Sequence, residues 1–260
     1  MFDECVADGL LRVGGAQAEL RQAVNHVLKA QKDSQKPLAI ILAGHNGSGK
    51  STMWYSHLAD QIQIPLINAD RMMMSILPEV AAGAKLPTWA ATLRDGDEGW
   101  MHVAQDGVYA FVAQALANKV PFATETVFSH WKENSDGTVE SKIDWIKQIQ
   151  ANGYFVILFF VGLTGPSLSI ARVLSRVAAG GHNVPTSRLL SRFPRTQKAI
   201  GMAVSIADAA ILVDNSLDIK KAFSVCRIQM LYQEIYDVRT EGMKVPLAVL
   251  RWLDIVSPRT

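Results

Sequence analysis

The run Leu38-Ala39-Ile40-Ile41-Leu42-Ala43, followed by Gly44-His45-Asn46-Gly47-Ser48-Gly49-Lys50-Ser51, constrains the fold more than any other part of the chain. An unbroken apolar stretch closed by glycine fits a strand buried on both faces, as in a parallel sheet covered by helices. Gly44–Ser51 satisfies G-x-x-x-x-G-K-[ST] at every fixed position, between that strand and a helical segment from Lys50. Glycines let the backbone curl until successive N–H groups point at phosphate oxygens, and the helix N-terminus adds partial positive charge. In this reading Lys50 reaches the β- and γ-phosphates of a nucleotide and Ser51 gives its hydroxyl to Mg²⁺. The nucleotide-binding residues are Gly44, His45, Asn46, Gly47, Ser48, Gly49, Lys50, Ser51 and Thr52.

The rest of the chain alternates in the same style. Strands are expected at Ile64–Ile67, Phe122–Thr126, Tyr154–Val161 and Ala209–Val213. Helices are expected at Lys50–Gln61, Met101–Asn118, Thr138–Asn152, Leu217–Val238 and Leu247–Val256, with a long lid-like region after Pro166. Strands alternating with helices imply an α/β fold around a mostly parallel sheet, here of five strands with helices on both faces. Residues 1–36 precede the first core strand and form a separate polar, helical segment, leaving 37–260 as the main domain.

Composition narrows the class. Apolar residues make up 49% and charged residues 19%, which suits a folded core. The longest uncharged apolar run, Tyr154–Leu163, is too short to span a bilayer. The N-terminus carries early acids and no basic leader, and Cys5 and Cys226 cannot build a disulfide framework. The expectation is a reduced, cytoplasmic protein with no membrane partner. The histidines lack metal-ligand spacing, and Met72-Met73-Met74 reads as packing.

The net charge of +2 conceals an asymmetry. Between Trp145 and Ala207 there is no acid, while Lys147, Arg172, Arg176, Arg188, Arg192, Arg195 and Lys198 give that window +7 and leave the remainder at −5. A basic segment on an acidic protein implies a local anion site. The window has few aromatics for stacking and matches no nucleic-acid motif, so a compact phosphate ligand is expected and nucleic acid is not.

Asp70 ends the second strand, where a carboxylate can take the proton of a substrate hydroxyl or cap the helix from Arg71. Glu125, with Thr124 and Thr126, ends the third strand on the side where open parallel sheets bind ligands, suited to a substrate hydroxyl or a Mg²⁺ water. Arg172 and Arg176 share a helix face before Gly180-Gly181, and arginines on a mobile lid can close over a γ-phosphate. Asn215, after the fifth strand, can face the nucleotide base or cap a following helix.

GHNGSGKST, INAD, FATETVFS, NGYFVILFFVGL, ARVLSRVAAGGHNVP, SRFPRT and ADAAILVDNS occur in the order seen in the zeta toxin family, so Pro37–Ser216 resembles that family and its Gram-negative branch. The resemblance implies a P-loop kinase fold with an arginine-rich lid. It implies ATP- and Mg²⁺-dependent phosphorylation of the 3′-hydroxyl of the amino sugar in UDP-N-acetylglucosamine, or of another metabolite such as NAD. By the resemblance Lys50 is the phosphate-loop lysine, Ser51 the Mg²⁺ ligand, Asp70 the base, Glu125 and Thr126 the substrate-holding pair, and Arg172 the first lid arginine. The family's Glu-Thr-Thr reads Glu-Thr-Val here, and Arg176 stands in for the second lid arginine because GGHNVP departs from the founding toxins. An antitoxin partner is implied, and the chain's own N-terminal segment is either an extra helix docked on the core for stability or a stand-in for the antitoxin's blocking helix. A nucleotide switch without acceptor and a nucleic-acid end kinase use the same loop.

Overall fold

In the computed structural model, which describes residues 15–81, 84–242 and 244–259, the first described element is helix α1 (Ala16–Asp33). Cys5 and the remainder of the segment before Gly15 lie outside the described residues. Strand β1 (Leu38–Gly44) follows, buried at every position. The phosphate loop then leads into α2 (Lys50–Met53), which runs through a π-helical turn at Trp54–Leu58 into α3 (Ala59–Ile62). Next come β2 (Leu66–Ile67), α4 (Ala69–Ser75), α5 (Thr88–Gly96), α6 (Glu98–Asn118) and β3 (Phe122–Thr126). A short antiparallel pair, β4 (Trp131–Glu133) and β5 (Val139–Ser141), precedes α7 (Lys142–Ala151) and β6 (Phe155–Gly162). The chain continues with α8 (Pro166–Ala178), α9 (Thr186–Ala203), β7 (Ala209–Asp214), β8 (Ser224–Met230), β9 (Gln233–Asp237) and α10 (Leu247–Val256).

The main sheet runs β2-β3-β1-β6-β7-β8-β9. Its first five strands are parallel, with β1 in their middle, and they correspond to the five expected from sequence. Two antiparallel strands extend it at β7, so the sheet has seven strands. The expected helix Leu217–Val238 is therefore corrected. In its place stand a 3₁₀ turn at Ile219–Lys221 and the β8–β9 hairpin. The spacing of apolar residues in LYQEIYDV mimics a helical stripe, and the hairpin's turn, Leu231-Tyr232, carries no Asn-Gly signal although both residues have positive φ. The open edge of β7 supplies the reason for the strands: β8 satisfies its backbone groups and places Val225, Cys226 and Ile228 in the core.

Two other boundaries shift. Helix α7 starts at Lys142, because Ser141 caps it in a box with Asp144 and Thr138–Ser141 belongs to β5 and its turn. Only Leu66–Ile67 of the second expected strand is a strand, although the Pro65 carbonyl already accepts from Ala123 N.

Helix α1 lays Leu20, Ala23, Val24 and Val27, all at most 1% exposed, against the sheet, chiefly on β8. On burial of this completeness each large aliphatic side chain contributes roughly 1.5–3 kcal/mol. Helix α10 seats Trp252 on Gly162 at the end of β6, where a Cβ would lie 2.8 Å from the indole. From there the indole N–H donates to Asp214 at 3.1 Å, so the C-terminal helix fixes the end of β7 beside the phosphate loop.

Candidate active site

The loop after β1 is held by its carbonyls. Lys50 Nζ donates to the carbonyls of Gly44 (2.9 Å) and His45 (3.0 Å), Ser169 Oγ to that of Asn46 (2.7 Å) and Asn215 Nδ2 to that of Ser48 (2.8 Å). The first N–H groups of α2 have no partner within the helix, and Lys50, Ser51 and Thr52 line the cleft. Gly49 sits at φ 93°, and a Cβ there would lie 2.6 Å from the Asn215 amide, so glycine is required on two counts. The Ser48 hydroxyl is buried within the loop without a partner among the described residues, an acceptor or donor left for a ligand.

Burial lowers the pKa of Lys50, and Arg176 adds to this, while Glu125 and Asp70 act in the opposite direction. The ammonium is thus held by two carbonyls and by Glu125 at 3.9 Å, in a place where an anion would gain much from it. His45 lies flat on Phe193 of α9, at 3.7 Å between centroids, with its edge to Phe160. Burial, assisted by Lys50, drives its imidazole down to about 3, so it is neutral.

Glu125 at the end of β3 accepts from Ser51 Oγ at 2.9 and 3.1 Å and from Asn68 Nδ2 at 2.6 Å. Asn68 also caps α4, its Oδ1 accepting from Arg71 N. The cap of that helix is therefore Asn68, and the capping alternative for Asp70 is corrected. Asp70 lies in the first turn of α4, exposed on the cleft and near enough to Lys50 and Arg192 to favour the charged form of both. The Thr126 hydroxyl accepts from Phe128 N and shapes the turn after β3, while the Thr124 hydroxyl is buried without a partner among the described residues.

A Mg²⁺ ion fits this donor set. No cluster of three His, Cys, Asp or Glu occurs among the described residues, which argues against an all-protein cage. A single hydroxyl and a carboxylate in contact match an ion that keeps several waters and binds partly through substrate phosphates.

Lys50, Ser51, Asn68, Asp70, Glu125 and Thr126 share one cleft of about 1240 Å³. Arg172 and Arg176 of α8 and Arg188, Arg192 and Arg195 of α9 line it, so five of the seven basic residues in the acid-free window converge on one surface. Arg172 packs on the loop, its Cβ 3.1 Å from where a Gly47 Cβ would stand. Burial lowers the pKa of Arg192, with Arg188 and Arg195 reinforcing the effect. Lys147 and Lys198 lie elsewhere, Lys198 paired with Glu133 at 2.6 Å. Asn215 faces the Ser48 carbonyl and follows β7 without capping a helix; the nearby 3₁₀ turn is capped by Asp218.

Sequence reasoning missed the wall opposite the loop. Tyr109 of α6 meets Trp145 of α7 edge to face at 5.9 Å, and Lys142 Nζ lies 5.3 Å from the Trp145 ring. Burial pushes Lys142 down to about 8. All three line the cleft. A lysine at the first position of a capped helix, three residues before a tryptophan, was the available signal. Elsewhere, Trp89 is exposed and Trp131 carries Lys198 over its ring. Met73 is buried, and Met72 fills the space left by Gly107 on α6.

The zeta toxin family profile matches residues 24–216. An uncharacterized protein of Haemophilus influenzae is 31% identical over 144 residues, covering 55% of this chain and 84% of that protein. Among solved structures, a chain of the AvrRxo1-ORF1:-ORF2 complex with ATP superposes with a TM-score of 0.52 at 13% identity, over 99% of this chain and 82% of that one. A chain of the PezAT chromosomal toxin–antitoxin system of Streptococcus pneumoniae gives 0.50 at 14% identity, over 94% and 89%. At such identities the two structures establish the shared fold.

Proposed function

The chain belongs to the zeta toxin family of P-loop kinases, and from that premise we propose that it transfers the γ-phosphate of ATP to a sugar hydroxyl, that of UDP-N-acetylglucosamine at the 3′ position of its amino sugar. The observation that carries this reading is the convergence of Lys50, the Ser51–Glu125 pair, Asp70 and five arginines on one cleft.

Phosphoryl transfer asks the protein mainly for positioning and charge stabilisation. In this reading the loop amides and Lys50 hold the β- and γ-phosphates, with Arg172 and Arg176 over the γ-phosphate. Ser51 and Glu125 would hold Mg²⁺, Glu125 through a water. Bound there, Mg²⁺ would neutralise charge on the phosphate oxygens. Asp70 takes the proton of the acceptor hydroxyl; no hydrogen bond among the described residues ties its carboxylate up as a cap. Asn215 acts by holding the loop through Ser48.

The far wall suits the rest of the acceptor. Tyr109, exposed on the cleft and braced edge to face by Trp145, offers a ring for a planar base, and Lys142 offers a cation for a diphosphate. The use of ATP is supported by family membership and by the fold shared with an AvrRxo1 structure that holds ATP. An antitoxin partner is proposed on the same footing, since PezAT is a toxin–antitoxin system.

Incubation with γ-labelled ATP, Mg²⁺ and a panel containing UDP-N-acetylglucosamine, NAD and free sugars tests the proposal. Label on UDP-N-acetylglucosamine supports it. Label on NAD alone moves the acceptor assignment, and release of phosphate without labelled acceptor favours a nucleotide switch.

A further inference from the structure

Helix α5 and the turn between α8 and α9 are joined at a point outside the phosphate-facing set. Asp95, in the last turn of α5, accepts from Arg94 Nε and Nη2, both at 2.8 Å. The oxygen facing Arg94 Nε also meets His182 Nδ1 at 3.0 Å and Asn183 N at 3.3 Å. Arg94 itself donates to the Gly180 carbonyl at 2.7 Å. All of these lid partners belong to the turn between α8 and α9.

That turn holds Arg176 in place. Arg176 Nη2 donates to the His182 carbonyl at 2.9 Å, and Gly181 packs so tightly on Arg176 that a Cβ would stand 2.6 Å from its Cγ. Arg176 is near enough to Lys50 to disfavour that lysine's charge. A continuous path of contacts thus runs from Asp95 through His182 to an arginine at the phosphate end of the cleft.

We propose that Asp95 is a positioning residue for phosphoryl transfer: by clasping the Gly180–Asn183 turn to α5 it orients Arg176 toward the γ-phosphate. The inference rests on the kinase reading above. A single exposed ion pair would not carry it, because such pairs contribute little. Asp95 instead gathers donors from two sides of the cleft, with a bidentate arginine among them. The contacts thus tie α5 to the turn whose His182 carbonyl holds Arg176.

The test uses the whole chain, Mg·ATP and Mg·ADP as probes, and Asp95→Ala, Arg176→Ala and their double variant. Amide exchange of Gly181–Asn183 in the nucleotide-free protein should quicken about tenfold in Asp95→Ala. The preference for ATP over ADP should fall by about 5- to 10-fold in each single variant and no further in the double variant, as for residues acting through one contact. Additive losses, or an unchanged preference despite faster exchange, would reduce Asp95 to a structural staple and overturn the proposal. Unchanged exchange would overturn the clasp itself. Asp95→Asn, which keeps one acceptor, should fall between wild type and Asp95→Ala and serves if the alanine variant does not fold. Absence of labelled product with every acceptor, while Asp95→Ala still accelerates exchange and lowers the preference for ATP, would instead sink the kinase reading and leave the clasp standing.

Discussion

Lys50, Asp70 and His45 lie on the same cleft or its loop but should respond differently to change. Lys50 is buried against two loop carbonyls, so Lys50→Ala removes both a loop staple and the cation for the phosphates. Transfer should drop by about 10²–10³ with weakened ATP binding, and a full-rate Lys50→Ala enzyme would contradict the assignment. Asp70 is exposed and does not cap its helix, so Asp70→Asn should leave the melting temperature and ATP affinity near wild type. Its turnover should fall by about 10²–10⁴, measured under saturating substrates. His45 supplies a pH effect. Its folded pKa, about 3, lies below the ordinary 6.5, so below pH 6.5 the unfolded chain takes up a proton that the folded one refuses. Stability therefore declines as pH falls from 6.5 toward 3, by roughly 2 kcal/mol at pH 5 from this residue alone. In His45→Phe, which keeps a ring against Phe193, that part of the decline should vanish in denaturant titrations at pH 7 and pH 5.

Among the elements, helix α1 bears on how residues 1–36 act. Its apolar stripe is fully buried against β8, which supports a stabilising role for Ala16–Asp33 over an inhibitory one. Leu20→Ala should cost about 2–5 kcal/mol, and removal of residues 1–34 should give a destabilised protein with activity unchanged or lost. A well-folded truncation with raised activity would restore the inhibitory reading. The strands β1, β6 and β7 were legible because each is a dense apolar run buried at every position, with Phe155–Gly162 the clearest case. The phosphate loop was legible because its chemistry demands particular residues at fixed spacing. The β8–β9 hairpin was not, since its turn residues Leu231 and Tyr232 give no turn signal and its partner, the β7 edge, is remote from its tip in sequence. Asn68 escaped notice for a related reason: its value comes from facing both Glu125 and the start of α4, a conjunction visible only in three dimensions. The acid-free window carried its information in composition, and the fold turned it into a surface by bending α8 and α9 around Gly180-Gly181.

At the scale of the whole molecule, that surface sets a cost that a ligand can remove. Five arginines face one cleft, and the burial and crowding that lower the pKa of Arg192 show that their charges oppose one another. The nearest acids only partly compensate, since Arg188 reaches Glu98 at 3.4 Å and Glu125 is engaged with Ser51 and Asn68. An anion bound there gains from preformed charge and relieves the repulsion at once. The nucleotide-free protein should accordingly be stabilised by added sulfate or phosphate beyond the effect of chloride at equal ionic strength. Mg·ATP at a hundred times its Kd should add about 2.7 kcal/mol, which for a chain of this size raises the melting temperature by roughly 5–10 °C. Mg·ADP at the same concentration should shift it less if, as proposed, the arginines of α8 and α9 that line the cleft serve the terminal phosphate. Equal shifts for ATP and ADP in a thermal melt, with no benefit from sulfate, would mean that the basic surface does not serve the γ-phosphate and that the lid closes on some other anion.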